Sequence, residues 1–375
     1  MKITIKEVSN QKTLRTFIYL PAQIHKNHTN WVPTIYMDEW TFFNPKKNKS
    51  FEYCDTILAL AFMDAIPVGR IMGIISHKYN KIHHENHVRF AFIETYNDQE
   101  VFNALIEFVA DWGRARGMQK IVGPLGFSDK DPQGFLMEGF DQPNVIASNC
   151  NFPYMVDLIE NLNFKKKVDL VVYKIEIPES DPPIYHKIEE RFQKNNTNSK
   201  ILEFSSRRKV KPFIRPVLDL VNITFNEIYG FLPFTEEEMY EFANRYLYLI
   251  NPRYIKLVVN ENKDVVSFVI GMSDLSKGIQ KANGKLLPFG FIHVLRAGKK
   301  SKQLNLLLGA VHPAYQGRGL DVIMGIRLLA SARKTGKTTI DSHLELENNF
   351  KVRAEMERVG GEVYKKYRIF IKEIS

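Results

Sequence analysis

In the stretch AVHPAYQGRGLDVIM, Ala310 to Met324, Gly317 and Gly319 stand between an apolar run and a helical one. A strand that passes straight into a helix leaves bare N–H groups and the positive end of the helix dipole at the junction. Where glycines let the backbone come close, those groups can cradle a pyrophosphate. Gln316 begins this loop, and Arg327, Arg333, Lys334 and Lys337 lie on or just past the following helix, where they could meet a further phosphate. The competing reading is a tight turn that needs its glycines only for positive φ.

A second constellation is DSHLELEN, in which Asp341, His343, Glu345 and Glu347 alternate and would share one face of a strand. Such a face is usually just solvated; one lining a cleft could take up a proton. His83, His84 and His87 crowd into KIHHENH, but no Cys or paired acid completes a ligand set, so a surface loop is expected there and no metal. His312, before Pro313, is expected to be structural. GKLLPFGFIHVLRAGKKSK, Gly284 to Lys302, reads as a strand with a basic loop; receiving an acyl chain or touching an anionic membrane surface are its alternatives.

The elements that would hold these residues repeat. Ala91 to Gly117 spans the same 26 positions as Ala310 to Gly336, and Tyr96 and Tyr315 each precede their glycine by 21. In both windows an apolar strand enters a polar loop, a helix follows, and a glycine leads into a strand. At 375 residues the chain is expected to form about two domains. The best linker is PESDPPIYHKIEERFQKNNTNS, from Pro178 on. Strands alternating with helices on both sides of it argue for an α/β (α+β) class. IKLVVNENKDVVSFVIGM reads as a hairpin turning at Asn260 to Lys263.

Charge is uneven. Of 52 Lys and Arg and 42 Asp and Glu, the first 200 residues carry 24 of each, which leaves 28 against 18 and the whole +10 excess beyond them. A basic excess marks a solvated face or the site of an anionic ligand. No zinc-finger spacing or aromatic RNA-binding signature accompanies it, so nucleic acid is not expected. Cys54 and Cys150 are too few for a disulfide framework. No apolar run reaches the roughly 18 residues of a membrane span, and no apolar signal core follows Lys2 and Lys6, so a cytoplasmic protein is expected.

The loop VHPAYQGRGL resembles the acetyl-CoA loop of the GNAT superfamily of N-acyltransferases, whose pattern Gln/Arg-x-x-Gly-x-Gly/Ala it matches at Gln316 and Gly319. The whole chain resembles a family of bacterial tandem-GNAT N-acyltransferases, through WVPTIYMDEW, NPKKNKSFEY, RGMQKIVGPLGFSDKDPQGFLMEGFDQP and MVDLIENLNFKKKVDL in its first half. Some relatives of that family are linked to acylation of long-chain amines in bacterial sphingolipid synthesis. The resemblance implies two GNAT-like domains, each a mixed twisted sheet flanked by helices. Residues 1–180 would be a degenerate copy shaping the substrate cleft, 181–200 a linker, and 201–375 the copy with the acyl-CoA loop.

It further implies acetyl-CoA or acyl-CoA as co-substrate, held by Ala310, Val311, Gln316, Gly317, Arg318, Gly319, Leu320 and Asn349, with edge N–H groups at Ala310 and Val311 polarising the acyl carbonyl. A small-molecule or lipid amine would be acylated between the domains, with Glu347 or Glu345 accepting its proton and His343 next. Two positions and one loop depart from the pattern. Asp321 replaces the final Gly/Ala of the loop, and Met356 stands where many GNAT enzymes carry a proton-donating Tyr, a task no thioether can do. Tyr315, Tyr364 and Tyr367 are the candidate substitutes. The first half reads ETYNDQEVF, without glycine and with added acid, and should not hold a pyrophosphate. A non-catalytic ligand-binding or regulatory protein and a Fem-type aminoacyltransferase are the alternatives.

Overall fold

Cys54–Met63 and Ile66–Ser76 are long apolar runs that a single pair of residues joins, Asp64 and Ala65, both at positive φ. Mirror-image turns of that kind match the twist of the strands they connect, so the two runs pair antiparallel from Met63↔Ile66 to Cys54↔Ser76. The same local logic builds a mixed α/β fold throughout the computed structural model, which describes residues 2–146, 148–195 and 198–374. Its strands are β1 (Ile3–Glu7), β2 (Cys54–Met63), β3 (Ile66–Ser76), β4 (His87–Thr95), β5 (Lys120–Gly123), β6 (Phe135–Glu138), β7 (Lys165–Glu176), β8 (Lys200–Glu203), β9 (Ile255–Val259), β10 (Val265–Ser273), β11 (Gln303–Val311), β12 (Thr339–Asp341), β13 (Glu345–Leu346) and β14 (Glu362–Glu373).

Two compact units emerge. The first takes residues through Val171, Leu275–Val294 and the chain from Tyr364 on; the second takes Val172–Asp274 and Leu295–Val363. The sequence suggested contiguous halves meeting at 181–200. Instead the first boundary falls at Val171, and two later segments return to the first unit. The expected linker contains a helix, Pro183–Asn195, whose Phe192 is buried with Val258, Val266 and Ile323 of the second unit; Asn196 and Thr197 lie outside the described residues.

In the first unit the strands run β1-β2-β3-β4-β5-β14-β7, with β6 beside β14. The helix Gln99–Arg114 starts at Asp98, whose carboxylate accepts from the N–H groups of Glu100 and Val101, and it buries Val101, Leu105 and Val109 against the sheet. In the second unit the order is β7-β12-β11-β10-β9-β8. There the helix Leu320–Lys334 buries Leu320, Ile323 and Met324 against Val258 and Val266. The hairpin expected at Asn260 to Lys263 joins β9 to β10.

The repeat has a physical basis. β4 and β11 both run antiparallel to the strand before them, with one extra residue bulged into each, and each pairs in parallel with the next strand over its first three residues only. Both following helices end in the same turn: Met118 N–H donates to Gly113 O and Lys337 N–H to Ala332 O, with Gly117 and Gly336 at φ 76° and 77°. That left-handed position explains the matched glycines.

One expected strand is a helix. Gly290–Lys300 is helical because Phe291, Val294 and Leu295 repeat at the helical spacing and Lys299 and Lys300 suit the negative end of the dipole.

Candidate functional site

Along β11 the pairing fixes which amides are free. His312 N–H donates to Val266 O, and in the antiparallel register that continues through Ala310↔Phe268, alternate residues point the same way. Ala310 therefore turns its amide toward β10, and its carbonyl also accepts from Ser267 Oγ at 2.9 Å. Gly309 and Val311 turn theirs to the other edge. β12 pairs with that edge only at Gln303, Leu304 and Asn305, so among the described residues no strand covers it from Leu306 to Val311. Ala310, expected to offer its amide to the acyl carbonyl, thus turns it toward β10, whereas the amides of Gly309 and Val311 face the uncovered edge.

In the first unit the same edge is closed. Leu125 N–H donates to Phe90 O at 2.9 Å, and buried Arg89 donates to the carbonyls of Gly126 and Phe127. Chain therefore fills in the first unit the opening that the second unit leaves. Leu125 lies 219 positions before Leu344, as Ala91 does before Ala310. Leu344 N–H is bonded instead to Nδ1 of His343, at 2.7 Å.

His343 accordingly sits in a turn, at φ 63°, with its own N–H on Asp341. This corrects the expectation of one alternating face: β12 ends at Asp341, and buried Asp341, left-handed His343 and the short β13 do not form one strand. The turn bonds of Asp341 and His343 outcompete the extended chain. Burial lowers the His343 pKa, in keeping with a neutral ring whose Nδ1 lone pair is already used.

At the far end of β11 the loop is open. Gly317 and Gly319 have φ of 74° and 76°, and a Cβ added to either would meet no atom within 4 Å. Gly319 caps the helix Leu320–Lys334 without any side-chain bond, and the first helical amide to find a partner is that of Ile323, on Gly319 O. The N–H groups of Gly317, Gly319, Leu320, Asp321 and Val322 have no protein partner among the described residues. Four unpaired amides at a helix start attract an anion. Gln316 and Arg318 are exposed beside it, and the Arg318 guanidinium lies over the Tyr315 ring and donates to Ala314 O. Of the other expected cations, Arg327 pairs with Glu189, Arg333 with Asp181, and buried Lys337 donates to the carbonyls of Gly298 and Ser301; Lys334 is on the last turn of the loop helix.

Burial, with the neighbouring Asp321 carboxyl adding, raises the pKa of Glu355, on the helix Phe350–Arg358, to about 7. Burial, with the charge of Glu355 adding, raises Glu345 to about 8. Asp321 thus bears on Glu355 and Glu355 on Glu345, and a group poised near neutrality can exchange protons. The Glu347 carbonyl accepts from Arg353. Asn349 caps the helix Phe350–Arg358 by accepting from Val352 N–H. Met356 packs with Leu306, Val269 and Ile175 in an apolar cluster, so no hydroxyl stands at that point. Tyr367 is buried in the first unit, and the Tyr315 hydroxyl accepts from Asn260.

Sequence reasoning missed Asn305 and Glu355. Asn305 is buried where β11 and β12 part; its oxygen accepts from Gln303, and its amide nitrogen has no partner among the described residues. A polar residue near the start of an apolar strand was the available signal. Among the described residues no cluster of His, Cys, Asp and Glu could hold a metal ion, and no helix is long and apolar enough to cross a membrane.

A duplicated strand-loop-helix unit, with a strand edge left open before a glycine-bounded helix start, defines a tandem GNAT fold. Among solved structures the chain is similar to a tandem GNAT protein from the clavulanic acid biosynthesis pathway, solved without acetyl-CoA, with a TM-score of 0.57 over 100% of this chain and 99% of that one at 9% identity. In sequence it is 25% identical to Protein YghO of Escherichia coli (strain K12), over 99% of this chain and 95% of that protein. It is 26% identical to the bacterial ceramide synthase of Caulobacter vibrioides, over 99% and 98%. No family model matches the chain.

Proposed function

We propose that the protein is an N-acyltransferase that takes an acetyl or longer acyl group from a CoA thioester and passes it to an amine, with long-chain lipid amines as the favoured class. The observation that carries this reading is the open edge of β11 leading into an uncapped, glycine-bounded helix start. The likeness to a relative named a ceramide synthase supports the lipid amine.

The CoA thioester would supply the activated acyl group. The free amides of Gly317, Gly319 and Leu320 would hold its pyrophosphate, with Gln316 and Arg318 beside them, and Val311 and Gly309 would bind along the β11 edge. An N–H on that edge would take up the negative charge that grows on the acyl oxygen as the amine attacks. Glu345, as carboxylate, would receive the amine proton, and Glu355 and Asp321 give that proton an onward path. A thiolate is a tolerable leaving group, so Met356 need not be replaced by another acid. His343 would help leave the fork between β11 and β12 open by holding Leu344 N–H.

Isothermal titration with acetyl-CoA and with medium and long acyl-CoAs, followed by mass spectrometry of a panel of amines including long-chain amino alcohols, tests the reading. Binding followed by amide formation is expected; no heat with any acyl-CoA would refute it. The placement of Met356 in an apolar cluster favours a second reading, a non-catalytic acyl-CoA binder. Binding without turnover on any amine would select it. Transfer that required aminoacyl-tRNA would select the Fem-type alternative.

A further inference from the structure

The segment from Leu275 to Leu320 contains no Asp or Glu, while Lys277, Lys281, Lys285, Arg296, Lys299, Lys300, Lys302 and Arg318 fall within it. At its centre the chain exposes large apolar side chains that soluble surfaces seldom show together: Leu287 at 66%, Phe289 at 70%, Phe291 at 44% and Leu295 at 51%. They occupy a turn and the helix that follows it, Gly290–Lys300. Phe291, Leu295 and Lys299 lie at successive i, i+4 positions and form one outward stripe, with Arg296 beside it. The helix is held from its other side, where Val294 is 2% exposed and Lys337 donates to Gly298 O. Lys285, Arg296, Lys299 and Lys300 make no ion pair among the described residues.

A fixed helix that presents aromatic tips between unpaired cations, with no acid for some forty residues, complements a surface that is apolar within and anionic outside. We propose that the segment Lys285 to Lys300 docks on an anionic lipid surface. Leu287, Phe289, Phe291 and Leu295 enter the boundary between headgroups and acyl chains, and Lys285, Arg296, Lys299 and Lys300 lie on the phosphates. The inference does not depend on the acyl-transfer reading, since neither acyl-CoA nor an amine takes part in the contact.

The test uses the whole chain without acyl-CoA. Co-sedimentation with phosphatidylcholine vesicles holding about 30% phosphatidylglycerol should exceed that with phosphatidylcholine alone and should weaken with salt. Phe289→Ser with Phe291→Ser should reduce the partition coefficient by about tenfold or more, and Lys299→Glu with Lys300→Glu should abolish the preference for anionic vesicles. Phe289→Trp should shift its emission to the blue on vesicles, a local readout that does not depend on the damaging variants. Equal partition to both vesicle types, unchanged by either double substitution, would overturn the proposal. So would a concentration-dependent dimer that these substitutions dissolve in a protein that binds no vesicle.

Discussion

Replacing Glu345 by Gln separates what the buried carboxyl costs the fold from what it does in the site. Its pKa stands at about 8 against an ordinary 4.5. Below pH 4.5 the folded and unfolded chains both carry the proton, and Glu345 has no effect on stability. As pH rises the unfolded chain loses the proton first, so stability falls progressively between about 4.5 and 8 and then levels off. At pH 7 the shift corresponds to about 3 kcal/mol, with each unit contributing 1.36 kcal/mol. Part of the side chain remains wet, which brings the expected cost to about 2–3 kcal/mol. Gln has the same shape and no proton to lose, so Glu345→Gln should stabilise by that amount at pH 7, raising the unfolding midpoint by about 4–10 °C, and should change little at pH 4. Urea unfolding of both proteins at pH 4, 7 and 9 measures the difference. Parallel pH curves would refute the buried acid. In the proposed reaction, about a tenth of Glu345 is ionised at pH 7, so kcat/KM should rise with pH to about 8, and the Gln variant should lose both that rise and most of the rate.

Gly319→Ala adds a methyl that meets no atom of the protein but strains a positive φ, so it should cost about 1–2 kcal/mol in folding while weakening acyl-CoA by about tenfold or more in calorimetry. Undiminished affinity would argue against a phosphate nest there. Asp321→Asn should leave acyl-CoA affinity within about threefold, because the Asp321 carboxyl acts on Glu355; a large gain would show it had been repelling the ligand. Arg368→Met removes both hydrogen bonds, of 2.6 and 2.9 Å, to Asp169, which is 1% exposed. Lys166 and Lys366 remain nearby, so denaturant titration should show a loss of about 2–3 kcal/mol at pH 7. These partners hold the Asp169 carboxyl below its ordinary 3.8, so the loss should shrink as pH falls through that lowered value.

What could be read from residue order alone was local. Positive φ at Gly117 and Gly336 demands glycine, so the spacing of the two copies survives in the sequence and exposes the duplication. The hairpin before β10 is announced by its polar turn. The fork is not legible, because it depends on where pairing between β11 and β12 stops, and apolar residues continue past that point. DSHLELEN alternates whether it is a solvated strand or a strand that breaks into a turn, and only the bonds of Asp341 and His343 decide. Charge on the loop helix said nothing of which cations already had partners; Arg327 and Arg333 are tied to Glu189 and Asp181, residues more than a hundred positions earlier. Glu345 was a candidate from its type and position, but the half-buried neighbour whose charge adds to its raised pKa, Glu355, lies on a helix the eye reads as polar.

The first unit takes its strand between β5 and β7 from the far end of the sequence. A ribosome will have released well over three hundred residues before β14 exists, and until then β5 and β7 present unsatisfied backbone edges. During that wait the growing chain should be a client for chaperones, and deleting Glu362–Glu373 should damage the part made first more than the part made last.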